Sequence, residues 1–349
     1  MGTVGIGVIG CGFISQAAHL PSLRRVEGAK LIALADVRFK LAKKLAETYR
    51  AKPYGSHMDL LEDPDVEAVL VATDKFSHAK IVLDACKAGK HVLVEKPMAT
   101  TVEDAKAMVN AAKRASVTLM VGYMKRYDLG VEAAKKIVRG AAAPDEIVYA
   151  RSHIFGGDWI CGPTVMPVIR SDEPRPGSPR VYPVPIPEDF RWMAEFLLEQ
   201  IHDVNLPRFL LGNPISISYA EKRRNCLVAL LSYGDYSLVL EGGYAEADFW
   251  DENLTIYFRR GWVSVQPPAP LLRNMSAKVL VYRAGRGIES LHCGWEWAFE
   301  RQIKHFVRCV KTGEEPLSSG RDSYRDIAVV EAILKSAVEH RPVKIRYDL

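Results

Sequence analysis

The sequence predicts an α/β protein in two parts: a doubly wound parallel sheet, followed by an α+β domain with a large, mostly antiparallel open sheet. Two observations predict this order. From residue 4 to about residue 123, short apolar strands alternate with amphipathic helices, a pattern typical of parallel sheets covered on both faces. From residue 215 to 266, short segments alternate apolar and polar side chains, which indicates antiparallel strands. At 349 residues the chain is long for one core, so we expect two domains, 1–123 and 124–349.

The elements of the first domain follow from its apolar runs and its helical periodicity. Strands are expected at 4–9, 30–35, 68–72, 91–94 and 118–121. The first helix is expected to begin near Phe13, and later helices are expected at 41–49, 79–87 and 102–115. This alternation of strand and helix predicts the parallel sheet.

The second domain is expected to begin with a helix at 130–138 and a strand at 146–153. A segment with eight prolines follows at 156–187, and because proline interrupts regular structure, we expect a surface loop or a loop that covers substrate. After it come a helix at 190–211, kinked near Pro207, and strands at 215–221, 226–233, 236–244, 253–258 and 261–266. Helices at 295–312 and 322–340 close the chain, and the last is able to pack back on the first domain.

Composition excludes several classes of function. The net charge is +5 with both signs interspersed, which is too dilute for a nucleic-acid partner. Six cysteines are scattered without a CxxC pair, which favours a reduced, cytoplasmic protein and argues against a disulfide framework or a metal site. There is no charged leader and no apolar stretch of about 18 residues, so we expect neither secretion nor a membrane partner.

The strongest local signal is the segment VGIGVIGCGFIS, an apolar strand that ends in a glycine turn before a helix. Gly10 permits the bend, and Gly12 lets the backbone approach a pyrophosphate. The helix start at Phe13 and Ile14 offers unpaired N–H groups to that pyrophosphate. Ser15 takes the third glycine position, where a small residue is sufficient. Alone, this string also fits an ordinary glycine turn before a buried helix.

Asp36 strengthens the interpretation as a dinucleotide site. The strand at 30–35 ends in Asp36, close to the spacing at which a carboxylate receives the hydroxyls of the adenosine ribose. The same carboxylate repels a ribose 2′-phosphate, so NAD is favoured as the cofactor. Arg38 is near enough to reach such a phosphate, which leaves NADP possible.

Lys96 is the candidate acid–base group. Hydride transfer between an alcohol carbon and nicotinamide requires a group that handles the alcohol proton. Lys96 lies in the tripeptide Glu95-Lys96-Pro97, just after the strand at 91–94, and ligands lie at the carboxyl ends of such strands. An isolated Glu-Lys-Pro tripeptide also fits a surface lysine in a salt bridge.

Three segments together resemble the Gfo/Idh/MocA oxidoreductases: Gly10-Cys11-Gly12, the run AGKHVLVEKPM and the run GYMKRYD. The resemblance spans nearly the whole chain, and the combined spacing is specific where each motif alone is not. It implies a Rossmann domain that binds NAD and a reaction at a secondary hydroxyl of a sugar, cyclitol or glycoside, with Lys96 as the catalytic acid–base. It also implies that His202 is the family's helical histidine, which binds the reacting hydroxyl or relays its proton.

One departure from the family pattern concerns the partner of His202. Many members have an aspartate four residues before this histidine, whereas this chain has Leu198. Glu199, three residues before His202, is expected on the same helical face and is a candidate partner, while Asp203 points about 100° away. His202 also fits a histidine that is satisfied in a helix interface.

The resemblance implies further site residues. In the cofactor half, Thr73 and His78 match a loop that borders the nicotinamide ribose, and Glu95 precedes the catalytic lysine. In the substrate half the candidates are Tyr123, Met124, Lys125, His153, Asp158, Trp159 and Arg191. Lys125 is expected to donate to substrate hydroxyls, whereas Arg126 is expected in a structural network.

Two other functions stay open. One is a glycoside-cleaving or epimerising enzyme whose tightly bound NAD is recycled internally. The other is a non-catalytic, nucleotide-binding regulator, against which the joint presence of Lys96 and His202 argues. The antiparallel sheet would expose a broad face, so we expect a homodimer or homotetramer.

Overall fold

The computed structural model describes residues 2–141, 147–160 and 168–349. The chain divides into two compact units, each with its own sheet. The first unit comprises Met1–Tyr123, Val165–Val181 and Phe299–Tyr324, and the second comprises Met124–Thr164, Tyr182–Ala298 and Arg325–Leu349. The predicted fold class is confirmed: a parallel sheet comes first, and a mostly antiparallel sheet follows.

The sheet of the first unit has six parallel strands. They are β1 (Val4–Ile9), β2 (Ala29–Ala35), β3 (Lys52–Tyr54), β4 (Ala68–Val71), β5 (His91–Val94) and β6 (Leu119–Val121). Their order across the sheet is β3-β2-β1-β4-β5-β6. The order reverses between β1 and β4, and the carboxyl ends of strands at such a reversal form the crevice in which doubly wound sheets bind ligands.

The helices of the first unit connect these strands. They are a π-helical turn (Ser15–His19), α1 (Leu20–Leu23), α2 (Phe39–Tyr49), α3 (His57–Leu61), α4 (His78–Lys87), α5 (Val102–Ala115) and α9 (Ala298–Thr312). The first helix of the fold thus contains a wide turn directly after the glycine segment. Thr101 caps α5 by accepting the N–H of Asp104, as a residue before a helix start commonly does.

The second unit contains a nine-stranded sheet. Its strands are β7 (Ile147–Gly157), β8 (Ser216–Lys222), β9 (Cys226–Ser232), β10 (Ser237–Gly243), β11 (Trp250–Phe258), β12 (Gly261–Gln266), β13 (Lys278–Arg283), β14 (Gly287–Leu291) and β15 (Val343–Lys344). Their order is β14-β13-β12-β11-β7-β10-β9-β8-β15, and among them β7 and β10 are parallel neighbours. The sequence pattern did not predict β13, β14 or β15; β14 is mostly exposed and β15 has two residues, whereas β13 has six residues with Val279 and Val281 buried.

Helices α6 (Leu129–Ala141), α7 (Arg191–Glu199) and α8 (His202–Leu211) belong to the second unit, and α10 (Gly320–Glu339) divides between the units at Tyr324. α6 packs on β12 and β13, and α8 packs on β7. The strand residues beneath them are buried, with Ala150 and Ile154 of β7 both at 0% exposure. No helix in the described part of the chain is both long and apolar enough to span a membrane.

The single kinked helix expected at 190–211 is wrong, because two helices occupy this range. α7 ends at Glu199, the backbone of Gln200 leaves the helical region at ψ 30°, and α8 begins at His202. Pro207 lies inside α8 rather than at the break. There it leaves the carbonyl of Asp203 without the N–H donor that this helix position normally supplies.

The proline-rich segment has no helix or strand from residue 168 to residue 187, in agreement with the sequence pattern. β7 extends to Gly157, into the range expected for this loop. Residues 161–167 of the expected loop, and residue 146 of the expected strand, lie outside the described residues.

Candidate active site

The glycine turn lies at the carboxyl end of β1. Gly10 has φ +96°, and a Cβ atom there would lie 2.4 Å from the carbonyl oxygen of Ala72, so only glycine is accommodated. A Cβ atom on Gly12 would meet nothing within 4 Å, which leaves the backbone open to a ligand. The Ser15 hydroxyl donates to the carbonyl oxygen of Gly10 at 2.6 Å and closes the turn from within. This open backbone at a helix start fits a bound pyrophosphate.

Other predicted cofactor residues surround this turn. Phe13 and Ile14 are half-buried at the helix start. Thr73, at the carboxyl end of β4, lies beside Gly10, and its hydroxyl is 2.9 Å from that of Ser77. The carboxyl ends of β1 and β4 thus bring the glycine turn and Thr73 together.

Asp36 is predicted to bind the ribose hydroxyls and Arg38 is able to bind a ribose 2′-phosphate, but in the structure the two side chains bind each other. The Arg38 side chain donates to Asp36 through Nε at 3.0 Å and Nη2 at 3.1 Å, and its backbone N–H donates at 2.9 Å. The N–H of Cys11 donates to Oδ2 of the same carboxylate at 2.8 Å. These contacts anchor the glycine turn to the end of β2 and fix the acidic group beside it.

The turn that carries Lys96 is held by buried polar contacts. Nε2 of His19 lies 2.7 Å from Oε1 of Glu95, and Oε2 of Glu95 accepts the backbone N–H of Lys96 at 3.0 Å. Nδ1 of His78 donates to the carbonyl oxygen of Pro97 at 2.8 Å, and the Lys96–Pro97 peptide is cis. The side chain of Lys96 itself is half-buried. Contacts on both sides therefore fix the backbone of the lysine.

His78 and Glu95, both predicted to bind the cofactor, also support the Lys96 turn. His78 is only 1% exposed and burial lowers its pKa, so it supports Pro97 as a neutral group, and its contact with the cofactor stays a prediction. Glu95 is 8% exposed and is bound to His19 and the Lys96 backbone, so it too positions the turn. Gly122 is packed against Glu95, because a Cβ atom there would lie 3.1 Å from Oε1.

In the second unit, Lys125 forms a buried ion pair. Its Nζ donates to Oε2 of Glu252 at 2.5 Å, and the two side chains are 5% and 2% exposed. The indole N–H of Trp250 donates to the same oxygen at 2.9 Å, and Nζ lies 5.6 Å from the Trp250 ring centre. Lys125 is therefore held in place by β11. Met124, next to it, is 5% exposed.

A second buried carboxylate lies near this pair. The hydroxyl of Ser152 on β7 donates to Oδ1 of Asp203 on α8 at 2.5 Å, and Oδ2 is buried without a partner among the described residues. Burial raises the pKa of Asp203 to about 7, and the negative charge of Glu252 acts in the same direction. Asp203 therefore changes its charge near neutral pH.

His202 begins α8 and is 8% exposed. The expectation that Glu199 shares its helical face is wrong, because the helix breaks between them and Glu199 ends α7 with an exposed side chain. Leu198, which stands where many relatives have aspartate, is fully buried.

Several predicted substrate residues lie apart from Lys125 and Asp203. His153 lies on the opposite face of β7 from Ser152 and Ile154, where Nε2 is 3.0 Å from Oδ1 of Asp251. Arg191 is exposed and pairs with Glu188 at 3.4 Å. His153 thus lies on the other face of β7 from Ser152, and substrate binding by His153 and Arg191 stays a prediction.

The remaining substrate candidates differ in exposure. Tyr123 is 0% exposed, and its contact with substrate stays a prediction. Asp158 and Trp159 follow the end of β7, where Asp158 accepts the N–H of Ile160 at 3.0 Å and Trp159 is 38% exposed.

The sequence did not reveal the residues that hold these groups in place. His19, Ser152, Asp203 and Glu252 are each joined to a predicted residue or to one another across at least 50 positions, and no local motif marks such pairs. Arg126 does enter a structural network, as expected: its Nε donates to Asn205 at 2.8 Å.

A mixed cluster of metal-ligand types also occurs in the first unit, at His305, Cys309 and Glu314, within 4.8 Å of one another. Nε2 of His305 accepts the N–H of Leu317 at 2.9 Å, and Arg308 lies 2.9 Å from Nδ1. Arg308 also pairs with Glu314. The guanidinium thus already supplies the positive charge that an ion would bring.

Comparison with known proteins agrees with this geometry. The model of the oxidoreductase family with an NAD-binding Rossmann fold (Gfo/Idh/MocA) matches residues 4–123, and its C-terminal α/β domain model matches residues 277–345. The chain is 26% identical to myo-inositol 2-dehydrogenase of Thermotoga maritima, covering 97% of this chain and 98% of the relative. It is also 26% identical to D-apiose dehydrogenase of Paraburkholderia graminis, covering 97% and 89%.

A solved structure agrees with the fold. Aldose-aldose oxidoreductase from Caulobacter crescentus superposes with a TM-score of 0.78 at 24% identity, covering 98% of this chain and 100% of that one. The family model of the first domain describes an NAD-binding Rossmann fold, and the open glycine turn fits that cofactor. The chain therefore belongs to the Gfo/Idh/MocA family and is an NAD(P)-dependent oxidoreductase that acts on CH–OH groups.

Proposed function

We propose that this chain transfers a hydride between nicotinamide and a secondary hydroxyl or ketone of a sugar, cyclitol or glycoside, with NAD as the physiological cofactor. The observation that carries the proposal is the rigid turn of Lys96. Its backbone N–H is bound by Glu95, and the next carbonyl, that of Pro97, is bound by His78. Similarity over almost the full length to relatives named as inositol and apiose dehydrogenases supports a polyhydroxylated substrate.

Oxidation of a secondary alcohol removes a hydride from carbon and a proton from oxygen. Bound NAD supplies the hydride acceptor. The neutral amine of Lys96 takes the hydroxyl proton as the C–O double bond forms, and the ammonium returns that proton when the ketone is reduced. A base held by a fixed backbone loses little freedom when it binds the hydroxyl, which lowers the barrier.

We assign supporting roles to two residues of the second unit. His202, at the start of α8 and 8% exposed, hydrogen-bonds the reacting hydroxyl. Lys125 orients a neighbouring hydroxyl of the substrate, since Glu252 and Trp250 hold its Nζ in place. Both assignments fit a substrate that carries several hydroxyl groups.

The test follows NADH formation with NAD against a panel of free sugars, inositols, sugar acids and glycosides. Lys96→Met is expected to lower turnover at least about 100-fold while NAD binding persists, because only the proton-transfer group is removed. Lys87→Met, an exposed lysine of α4, serves as the matched control and should keep full activity. Turnover that survives in Lys96→Met would remove this lysine from the mechanism.

We further propose that a second copy of this chain covers the open face of the large sheet. An aromatic row crosses four strands in register on the face opposite the helices: Tyr149, Tyr257, Trp262 and Tyr282. Such a row is typical of buried interfaces, and Tyr257 is 40% exposed in the single chain.

Light scattering should give at least twice 38.9 kDa, and Tyr257→Glu should lower that mass. Val37→Glu, at another exposed apolar position, should not.

A further inference from the structure

The first part of the described proline-rich segment is bound to the nucleotide-binding unit. The amide of Gln16, one turn after the glycine segment, pairs with the backbone of Ile169 in both directions: Nε2 donates to its carbonyl at 3.0 Å, and Oε1 accepts its N–H at 2.8 Å. The same Nε2 donates to the carbonyl of Cys11 at 2.9 Å. A segment distant in sequence is thus fixed beside the glycine turn.

Four residues along the segment, Glu173 reaches the start of α2. Its Oε2 accepts the backbone N–H of Lys40 at 2.9 Å, and the hydroxyl of Ser171 donates to the same oxygen at 2.8 Å. Lys40 is the second residue of α2, so this N–H is one of the helix-start donors that have no partner within the helix. A carboxylate from another part of the chain therefore occupies the positive end of α2.

The contact of Glu173 with the start of α2 matters because of its position relative to Asp36. In a doubly wound nucleotide domain, the ribose of the adenosine lies at the acidic end of the second strand, and the 2′-phosphate of NADP extends from that ribose. A phosphate there needs free cations or free N–H groups. In this chain Arg38 is bound to Asp36, the N–H of Lys40 is bound to Glu173, and Nζ of Lys40 lies 3.7 Å from Asp172.

Glu173 also acts on Arg38 electrostatically. The hydrogen bond that Arg38 donates to Asp36 is the largest cause of the raised pKa of Arg38, and the charges of Asp36 and Glu173 raise that pKa further. The guanidinium is thus hydrogen-bonded to Asp36 and also feels the charge of Glu173, so a 2′-phosphate would have to displace Asp36 and approach against the charge of Glu173.

We propose that Glu173 is a cofactor-specificity residue, whose carboxylate occupies the donors at the start of α2 and repels the 2′-phosphate of NADP, so that the site prefers NAD. The inference rests on the proposed use of NAD at Asp36. It requires neither Lys96 nor any particular substrate.

The test measures dissociation constants of NADH and NADPH by fluorescence on the full chain without substrate. Glu173→Gln keeps an oxygen that accepts the Lys40 N–H but removes the charge, so the cap and the fold are preserved. It should tighten NADPH binding about tenfold and change NADH binding less than about twofold, because only NADPH carries the repelled phosphate. The gain should shrink at high salt.

Glu47→Gln is the matched control, since it removes the same charge from an exposed side chain farther along α2 that has no part in the proposed site. It should change NADPH binding less than about twofold. Equal gains in NADPH affinity in the two variants would show that only the net charge matters, and would overturn the inference. An unchanged preference for NADH over NADPH in Glu173→Gln would overturn it as well. A wild-type chain that binds NADH but turns over no substrate would instead count against the proposed hydride transfer and would leave this inference intact.

Discussion

Glu95 in the first unit and Asp203 in the second are both buried carboxylates, yet their pKa values move in opposite directions. Burial disfavours the ionised form of Glu95, but the hydrogen bond from His19 and the charges of His19 and Lys96 outweigh it and lower the pKa. For Asp203 burial prevails and raises the pKa to about 7, because the hydroxyl of Ser152 is a weaker partner and Glu252 adds a like charge. The charge and number of hydrogen-bond donors, rather than the depth of burial, decide whether the pKa of the carboxylate rises or falls.

This difference has a functional consequence. Glu95 stays ionised at neutral pH, so the turn that carries Lys96 is held by a constant charge. Asp203 is close to half-protonated at pH 7, so the charge next to His202 changes with pH. The carboxylate of Glu95 in the first unit keeps one protonation state near neutral pH, while Asp203 in the second unit titrates there.

The largest effect is expected from Glu95→Gln. The lowered pKa of Glu95 means that its carboxylate stabilises the fold above the unfolded value of 4.5 and loses that contribution as pH falls through the folded value. Removing the charge should therefore cost about 2–3 kcal/mol of unfolding free energy at pH 7.5, the usual size for a hydrogen bond to a charged group. Urea unfolding at pH 7.5 and pH 4.0 measures this loss, which should shrink at the lower pH.

Glu62→Gln is the control, because this glutamate follows α3 with an exposed side chain and should change stability less than about 0.5 kcal/mol. A Glu95→Gln variant as stable as the wild type at pH 7.5 would mean that the His19 pair contributes nothing. The assignment of Glu95 to the support of Lys96 would then fail as well.

The second largest effect is expected from Asp203→Asn, and its dependence on pH is opposite to that of Glu95→Gln. The raised pKa means that Asp203 favours the fold below the unfolded value of 3.8 and that this contribution is lost as pH rises through about 7. Between pH 5.5 and pH 8.5 the wild type should lose about 2 kcal/mol relative to the variant. Unfolding at both pH values measures the change, and Asp251→Asn, at a 42% exposed side chain, should not reproduce it.

The sequence predicted those parts of the site that local pattern fixes. Gly10, Asp36 and Lys96 each follow a short apolar strand, and parallel strands bring their carboxyl ends to one edge of a sheet. The order of strands and helices in the first unit follows for the same reason. These residues could therefore be placed before any contact was known.

The remaining parts depend on contacts between distant segments. Glu252 meets Lys125 across 127 positions, and Ser152 meets Asp203 across 51. The break between α7 and α8 at Gln200 carries no glycine or proline to signal it, so Glu199 and His202 were expected on one face. Glu173 reaches α2 from a loop whose sequence shows only that it is irregular. Tertiary packing decides all of these.

The smallest effect is expected from Ser152→Ala, which tests whether donors decide the pKa of Asp203. The Ser152 hydroxyl bond lowers that pKa, so its removal should raise it, and the loss of stability with rising pH should continue to a higher pH than in the wild type. The variant should be about 1 kcal/mol less stable at pH 8.5, where the carboxylate is charged, and nearly unchanged at pH 5.5. In the Asp203→Asn background this pH dependence should vanish, because no charge remains for the hydroxyl to stabilise. A loss that is equal at both pH values and in both backgrounds would show that Ser152 acts through packing, and burial alone would then account for the raised pKa.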